Sequence, residues 1–177
     1  MTPISRECLL HFLNSYPDRI SGSIADYGSG EWSDEIRKIL ASGGITDFTS
    51  LDYDTGVDLM KPIEGKKFDV GITMDLLEHV TNPFIVADNI SESLKDGALL
   101  FVTVPFVWCL HECPKDYFRF TTDGVKVIFP KLHCIRSAFR TDVAGHWEVG
   151  AVNDPDWHWI TRVVAIFEKK GRFGGNE

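Results

Sequence analysis

The hydrophobic pattern of this chain changes period along its length, from strand-like to helix-like and back, and that alternation restricts it to a layered α/β fold. Phe68–Met74 (FDVGITM) and Ala98–Val104 (ALLFVTV) read as buried strands, the second closed by Pro105. Between them Asn82-Pro83 opens a helix with proline at its first position, and Val86, Ile90 and Leu94 carry it toward a stop at Gly97. Upstream, residues 4–15 set Ile4, Cys8, Leu9 and Phe12 on one side of an opening helix, and 23–27 form a first strand. Residues 33–42 place Ile36, Ile39 and Leu40 at helical spacing, with Ser33 as the cap, Asp34 and Glu35 at the positive end and Gly43-Gly44 as the stop.

Phe48–Asp52 is the second strand. The stretch from Asp54 to Lys67 is too short and too rich in turn residues for a full crossover helix, leaving a brief third strand near 57–59. Thr122 is read as the cap of a short helix through Val125, Ile128 and Phe129, ended by Pro130. Strands near 132–139 and 161–168 flank an aromatic-rich segment, GHWEVGAVNDPDWHW, whose aspartates and glycines point to loop. The expectation is one domain over 1–170 and a disordered tail at 171–177.

With 177 residues, 44% of them hydrophobic and 25% charged, the chain can bury a core without disulfide or metal staples. Its net charge of -8 repels phosphate backbones, which argues against a nucleic-acid partner. No apolar stretch reaches the 18 or more residues of a membrane span, and Glu7 and His11 interrupt any leader-like apolar region. Cys8, Cys109, Cys113 and Cys134 form no CxxC pair, so free thiols in a reducing cytoplasm are expected. Oligomeric state is open at this level.

The first chemical motif is Ile24-Ala25-Asp26-Tyr27-Gly28-Ser29-Gly30, a strand that runs through two glycines into a helix. Glycine there allows a sharp turn and close approach of a ligand. The third glycine of a dinucleotide fingerprint is missing, because Glu31, Trp32 and Ser33 occupy that region. Asp26 would repel a pyrophosphate and attract an ammonium. Asp52 ends the second strand, 22 positions after Gly30, where doubly wound folds place the carboxylate that accepts from ribose hydroxyls. Asp58 follows the brief third strand and could accept from an adenine amino group, with Leu59 and Met60 against the ring. A ligand that joins an amino-acid zwitterion to a nucleoside fits this set better than a nicotinamide dinucleotide. Taken singly, each glycine or aspartate could equally serve an ordinary turn.

The stretch FDVGITMDLLEHVTNPFIVADNISESLKDGALLFVTVPF, with Leu77-Glu78-His79-Val80 after the FDV strand, closely resembles class I S-adenosylmethionine-dependent methyltransferases, a likeness that covers residues 20–130. The continuation from Pro105 to Thr121, PF-x4-H-x2-P-x-D-Y-x-R-F-T, is similar to a subgroup of small bacterial methyltransferases. The resemblance implies a doubly wound, Rossmann-like α/β fold. Its mostly parallel seven-stranded sheet would run in the order 3-2-1-4-5-7-6 with an antiparallel last strand, and could lack the helix between strands 2 and 3. It implies S-adenosylmethionine as cofactor, with Asp26, Gly28 and Gly30 at the methionine end, Asp52 on the ribose, Asp58 and Leu59 on the adenine, and Asp75 and Leu76 beside the methyl-donor pocket. The sequence departs from the family at Tyr27 and Ser29, at Glu31-Trp32, and in the shortened region between strands two and three.

Methyl transfer is an in-line displacement on a sulfonium, so alignment and exclusion of water, worth roughly 7–11 kcal/mol in well-oriented systems, do most of the work. A general base adds about 10²–10⁴-fold where the acceptor must lose a proton. The acceptor should lie at the loop after strand five, which holds His111, Asp116, Tyr117 and Arg119. His111 is the candidate base, and with Tyr117, Arg119 and Trp147 a candidate acceptor contact. Asp116 and Arg119, an i, i+3 pair of opposite charge, read first as a clasp on their own loop, although Arg119 could also pair with an acceptor carboxylate or phosphate. His79 suits packing or a helix-start hydrogen bond. Cys109, His111 and Cys113, with Cys134 later, match no common zinc spacing, so no metal is expected there. Trp147, Trp157 and Trp159, interleaved with His146 and His158, would form a lid over the acceptor or cap the end of the sheet. The functional expectation is methyl transfer to a small-molecule acceptor with an oxygen or nitrogen nucleophile. The alternative is a methyltransferase-like domain without turnover that serves as a binding or partner module.

Overall fold

The computed structural model of the chain describes residues 3–45, 47–111, 115–141, 147–148 and 160–171. Its strands are β1 (Ile24–Tyr27), β2 (Phe48–Leu51), β3 (Phe68–Met74), β4 (Leu94–Pro105), β5 (His133–Thr141), β6 (Trp147–Glu148) and β7 (Ile160–Glu168). They form one sheet in the order β2-β1-β3-β4-β7-β5-β6. The first four are parallel, and β7 runs antiparallel between β4 and β5.

The sheet departs from the expected order at both edges. No strand forms near 57–59. The Asp52 carbonyl accepts from both Thr55 N (3.2 Å) and Val57 N (2.8 Å), which curls the segment back onto the end of β2. At the other edge Trp147–Glu148 pairs with Phe139 and Arg140 as a two-residue strand where loop was expected. The six longer strands are therefore the first, second and fourth to seventh of the seven expected.

Four helices complete the layers: α1 (Pro3–Ser15), α2 (Ser33–Ser42), α3 (Pro83–Ser93) and α4 (Thr122–Ile128). Asn82 caps α3 by accepting from Ile85 N at 3.3 Å, with proline in the first turn as expected. Gly97 does not stop that helix. It already belongs to β4, and its N–H bonds the Lys169 carbonyl at 2.7 Å beyond β7. Thr121, one residue before the expected cap, accepts from Gly124 N at 3.0 Å at the start of α4. Ser33 is not a cap either, because a short 3-10 turn over Gly30–Trp32 leads directly into α2.

Alternation along the strands sends side chains to two cores. Ile24, Val70, Ile72, Leu99 and Phe101 meet Leu9 and Phe12 of α1 and Ile36 and Leu40 of α2. Tyr27, Leu100, Val102 and Phe167 meet Val86 and Ile90 of α3 and Val125 and Ile128 of α4. A buried hydrogen bond from Tyr27 Oη to Ser93 Oγ, 2.6 Å, links β1 to the end of α3. No helix among the described residues is long and apolar enough to cross a membrane. Most of segment 142–159 and the tail from 172 lie outside the described residues, and with them the lid expectation for Trp157, Trp159, His146 and His158.

Candidate functional site

The parallel register aligns the carboxyl ends of β2, β1, β3 and β4 at one level, since Tyr27 pairs with Leu51 and with Thr73, and Met74 pairs with Thr103. Open α/β sheets bind ligands in the crevice beyond those ends. Gly28 turns the chain there at φ +79°, and its N–H is held by the Leu51 carbonyl at 3.0 Å. A Cβ on Gly28 would come within 2.5 Å of Leu76 Cδ1, so the turn after β1 and the segment after β3 meet only because that atom is missing.

Asp26 lies two residues before Gly28 and is fully buried. Its Oδ1 accepts from the Ser29 hydroxyl. Its Oδ2 has no hydrogen-bond partner among the described residues, and neither has the buried Ser33 Oγ in the first turn of α2. Burial pushes the carboxyl up to about 6, against the pull of the Ser29 hydroxyl and of the nearby Ser33 hydroxyl. A buried carboxylate oxygen without a donor is costly unless something arrives to satisfy it.

Asp52 is also buried, and its own turn orients it. Oδ2 accepts from Ser50 Oγ and Oδ1 from Thr55 N, both at 2.9 Å. A carboxylate has about four lone-pair sites, so two remain for ribose hydroxyls. Asp58 caps its turn through Met60 N at 3.0 Å and lies 3.4 Å from Lys61 Nζ. Leu59 faces the α3 core rather than the crevice, and its carbonyl accepts from Asn89 Nδ2 at 2.9 Å. Met60 is half-buried against the same core. Asp26, Asp52 and the Gly28–Gly30 turn lie at the carboxyl ends of β1 and β2, whereas Leu59 is buried in the α3 core.

Asp75, just past β3, is the one non-glycine residue at positive φ (+54°) among those described. Its carboxylate is fixed from three elements: Arg162 of β7 ion-pairs with Oδ1, Thr103 Oγ1 of β4 donates to Oδ1 at 3.2 Å, and Ser5 Oγ of α1 donates to Oδ2 at 3.3 Å. The strained backbone is held by long-range partners. Arg162 also stacks on Trp108, with its guanidinium carbon 5.2 Å from the ring centroid.

The loop after β4 folds against the segment after β3. Arg119 forks onto both oxygens of Asp116 and donates to the carbonyls of Phe118 and Cys109 at 2.8 and 3.2 Å. This is a loop clasp, and the guanidinium holds Asp116 far below the ordinary carboxylate range. Asp116 Oδ2 also accepts from His111 N at 3.0 Å. Tyr117 N donates to the Glu78 carbonyl at 2.7 Å, and the Tyr117 ring is exposed. The rings of His111 and His79 meet edge to face, 4.9 Å apart. Trp147 lies in β6, and its side chain, with the acceptor-contact expectation for it, is outside the described residues.

Two residues of this region carried no expected role. Glu78 is fully buried, and neither of its carboxylate oxygens has a hydrogen-bond partner among the described residues. Burial, and then the charge of Asp75, push it well above its ordinary range. Arg162 is an arginine inside an otherwise apolar strand, which was the one available signal of a buried partner.

No family model matches the chain, and neither does any curated protein. Solved structures do. A putative sarcosine dimethylglycine methyltransferase from Galdieria sulphuraria superposes with a TM-score of 0.65 at 13% identity, covering 94% of this chain and 85% of that one. A SAM-dependent methyltransferase from Methanosarcina mazei gives 0.63 at 15% identity, covering 90% and 97%. The N-methyltransferase NodS from Bradyrhizobium japonicum WM9, in complex with S-adenosyl-L-homocysteine, gives 0.60 at 11% identity, covering 95% and 88%. The fold is that of class I S-adenosylmethionine-dependent methyltransferases.

Proposed function

We propose that this chain is an S-adenosylmethionine-dependent methyltransferase that acts on a small-molecule acceptor through an oxygen or nitrogen nucleophile. The observation that carries the reading is the buried Asp26 carboxylate beside the Gly28 turn, whose Oδ2 has no hydrogen-bond partner among the described residues, one strand away from the pre-oriented Asp52. Those two carboxylates suit the ammonium and the ribose of one ligand, and the class I fold supplies the crevice between them.

When bound, the cofactor supplies a methyl group on a sulfonium, an electrophile that needs no further activation. The work left to the protein is placement. Asp26 and the glycine turn hold the amino-acid end, Asp52 holds the ribose, and Leu76 presses on the turn from β3. His111, 35% exposed and held at Nδ1 by the Cys109 carbonyl (3.3 Å) and Asp116 (3.2 Å), keeps Nε2 free to take a proton from an acceptor hydroxyl or ammonium. The exposed Tyr117 ring is a surface for the acceptor. Arg119 acts by holding the loop.

Calorimetric titration with adenosylmethionine, and separately with its demethylated product, tests the reading. Micromolar binding that is lost in Asp26→Ala and Asp52→Ala is expected. Absence of binding to either ligand at about 1 mM, a free energy weaker than about 4 kcal/mol, would overturn it.

A further inference from the structure

We infer that Glu78, His79 and His111 form a site for one divalent transition-metal ion on the acceptor side of the crevice. Sequence spacing directs attention to Cys109, His111 and Cys113. The fold instead brings His111 to a different pair, 32 positions away in the chain. One ligand atom from each of Glu78, His79 and His111 lies within 4.8 Å of the others, and this is the one such group among the described residues.

Two features of the trio point to an ion. The first is the Glu78 carboxyl group, 1% exposed at its side chain, with no hydrogen-bond partner at either oxygen among the described residues and the His79 ring 3.8 Å from Oε1. A buried carboxyl group left without a hydrogen bond is costly for a fold to keep. The second is the orientation of the histidines. His79 Nδ1 is 2.6 Å from the Lys115 carbonyl, which fixes the proton on Nδ1 and leaves Nε2 as the lone-pair nitrogen, 3.8 Å from Glu78 Oε1. His111 Nδ1 lies 3.3 Å from the Cys109 carbonyl and 3.2 Å from Asp116 Oδ2, which leaves its Nε2 equally available. A ring N–H given to a carbonyl or carboxylate, with the other nitrogen free, is the support that metal-binding histidines normally have.

The loop is anchored apart from the trio. The Arg119–Asp116 clasp and the bond from Tyr117 N to the Glu78 carbonyl hold the two ligand-bearing segments together. Two ligands at about 2.0–2.2 Å from one ion lie roughly 3–4 Å apart, so modest side-chain rotation from 4.8 Å closes the site. Two imidazoles and a carboxylate suit zinc, manganese or cobalt better than magnesium. Three protein ligands leave an open position, the arrangement of sites that also bind a reactant.

Asp75, the next carboxylate, is committed to Arg162, Thr103 and Ser5 and is not counted as a ligand. The open position would take an oxygen of the acceptor, a hydroxyl or a carboxylate; with the ion bound, His111 Nε2 is a ligand in place of the general base, and the ion eases loss of the hydroxyl proton to solvent. That last role rests on the methyltransferase reading, whereas binding of the ion does not.

The test is titration of chelator-stripped full-length protein with Zn²⁺, Mn²⁺ and Mg²⁺, together with the visible spectrum of the Co²⁺ form. One ion per chain is expected, with micromolar or tighter affinity for zinc and manganese and weaker binding of magnesium. His111→Ala and Glu78→Gln should each weaken binding at least tenfold, and Asp116→Asn should weaken it about 10-fold or more through His111. His111→Ala removes a partly exposed loop side chain, so its folding is not at risk, and retained adenosylmethionine affinity checks this directly. Failure of zinc or manganese to bind at about 1 mM, or binding that His111→Ala and Glu78→Gln leave unchanged, would overturn the site. Asp52→Ala separates the two readings, because it should abolish cofactor binding and leave metal binding intact.

Discussion

The two halves of the crevice are built differently. At the ends of β1 and β2, each functional group is held by its own neighbours: Ser29 on Asp26, Ser50 and Thr55 on Asp52, Met60 N on Asp58. At the ends of β3 and β4, Asp75 and His79 are held across the chain, although Asp116 and Arg119 pin their own loop. Ser5 reaches Asp75 over 70 positions, Arg162 reaches it over 87, and His79 meets Lys115 over 36. The first half can change its ligand chemistry through single residues without disturbing the core. The second half is a lock, in which function and stability share the same contacts.

Breaking the lock should give the largest effect. Asp75→Ala leaves Arg162 buried without its counter-charge, and removing one partner of a buried pair costs about 3–5 kcal/mol. Urea unfolding should show the loss as a lower midpoint at unchanged slope. A loss below about 1 kcal/mol would mean that the lock is not structural.

The cofactor half should behave in the opposite sense. The Asp26 carboxyl titrates at about 6 in the folded chain and at 3.8 otherwise, so the folded state holds the proton longer. Stability from this group is present below about pH 4, declines as pH rises toward 6, and is flat above; the total is about 3 kcal/mol. Asp26→Asn should remove that decline, which the difference between the two pH–stability profiles isolates. The same change should raise stability at pH 7 and weaken adenosylmethionine at least tenfold. Cofactor affinity of the unaltered protein should tighten from pH 5 to pH 7 as Asp26 ionises.

Gly28→Ala combines a left-handed backbone at φ +79° with a Cβ 2.5 Å from Leu76, for a cost of about 1–3 kcal/mol and a larger loss of cofactor affinity. Differential scanning calorimetry and the cofactor titration separate the two. Smallest is Arg6→Ala, which removes an exposed pair with Glu35 at 3.6 Å and should change stability by less than about 1 kcal/mol.

The same division explains what the sequence reveals. The glycine turn, Asp52 and the helix cap Asn82 are local devices, so a few adjacent residues announce them. FDVGITM coincides with β3 to the residue because a buried parallel strand is apolar throughout. The short strand expected at 57–59 does not form where Val57 N turns back to the Asp52 carbonyl, a hydrogen bond that apolar periodicity does not register. Leu59 reads as a ring contact from its place after Asp58, but the turn rolls it into the α3 core. Glu78 and Arg162 are visible only as polar residues in apolar company. Which partners satisfy them depends on pairings between distant elements, and spacing along one chain does not encode those.

The placement of β7 also has a consequence for the birth of the molecule. The strand that joins β5 and β6 to the rest of the sheet is synthesised after both of them, and it brings Arg162 to Asp75. Until it emerges from the ribosome, β4 has a bare edge and β5 has only the two-residue β6 to pair with. The four parallel strands can gather early while the acceptor side waits. Chains halted before residue 160 should therefore depend on chaperones and aggregate through that edge.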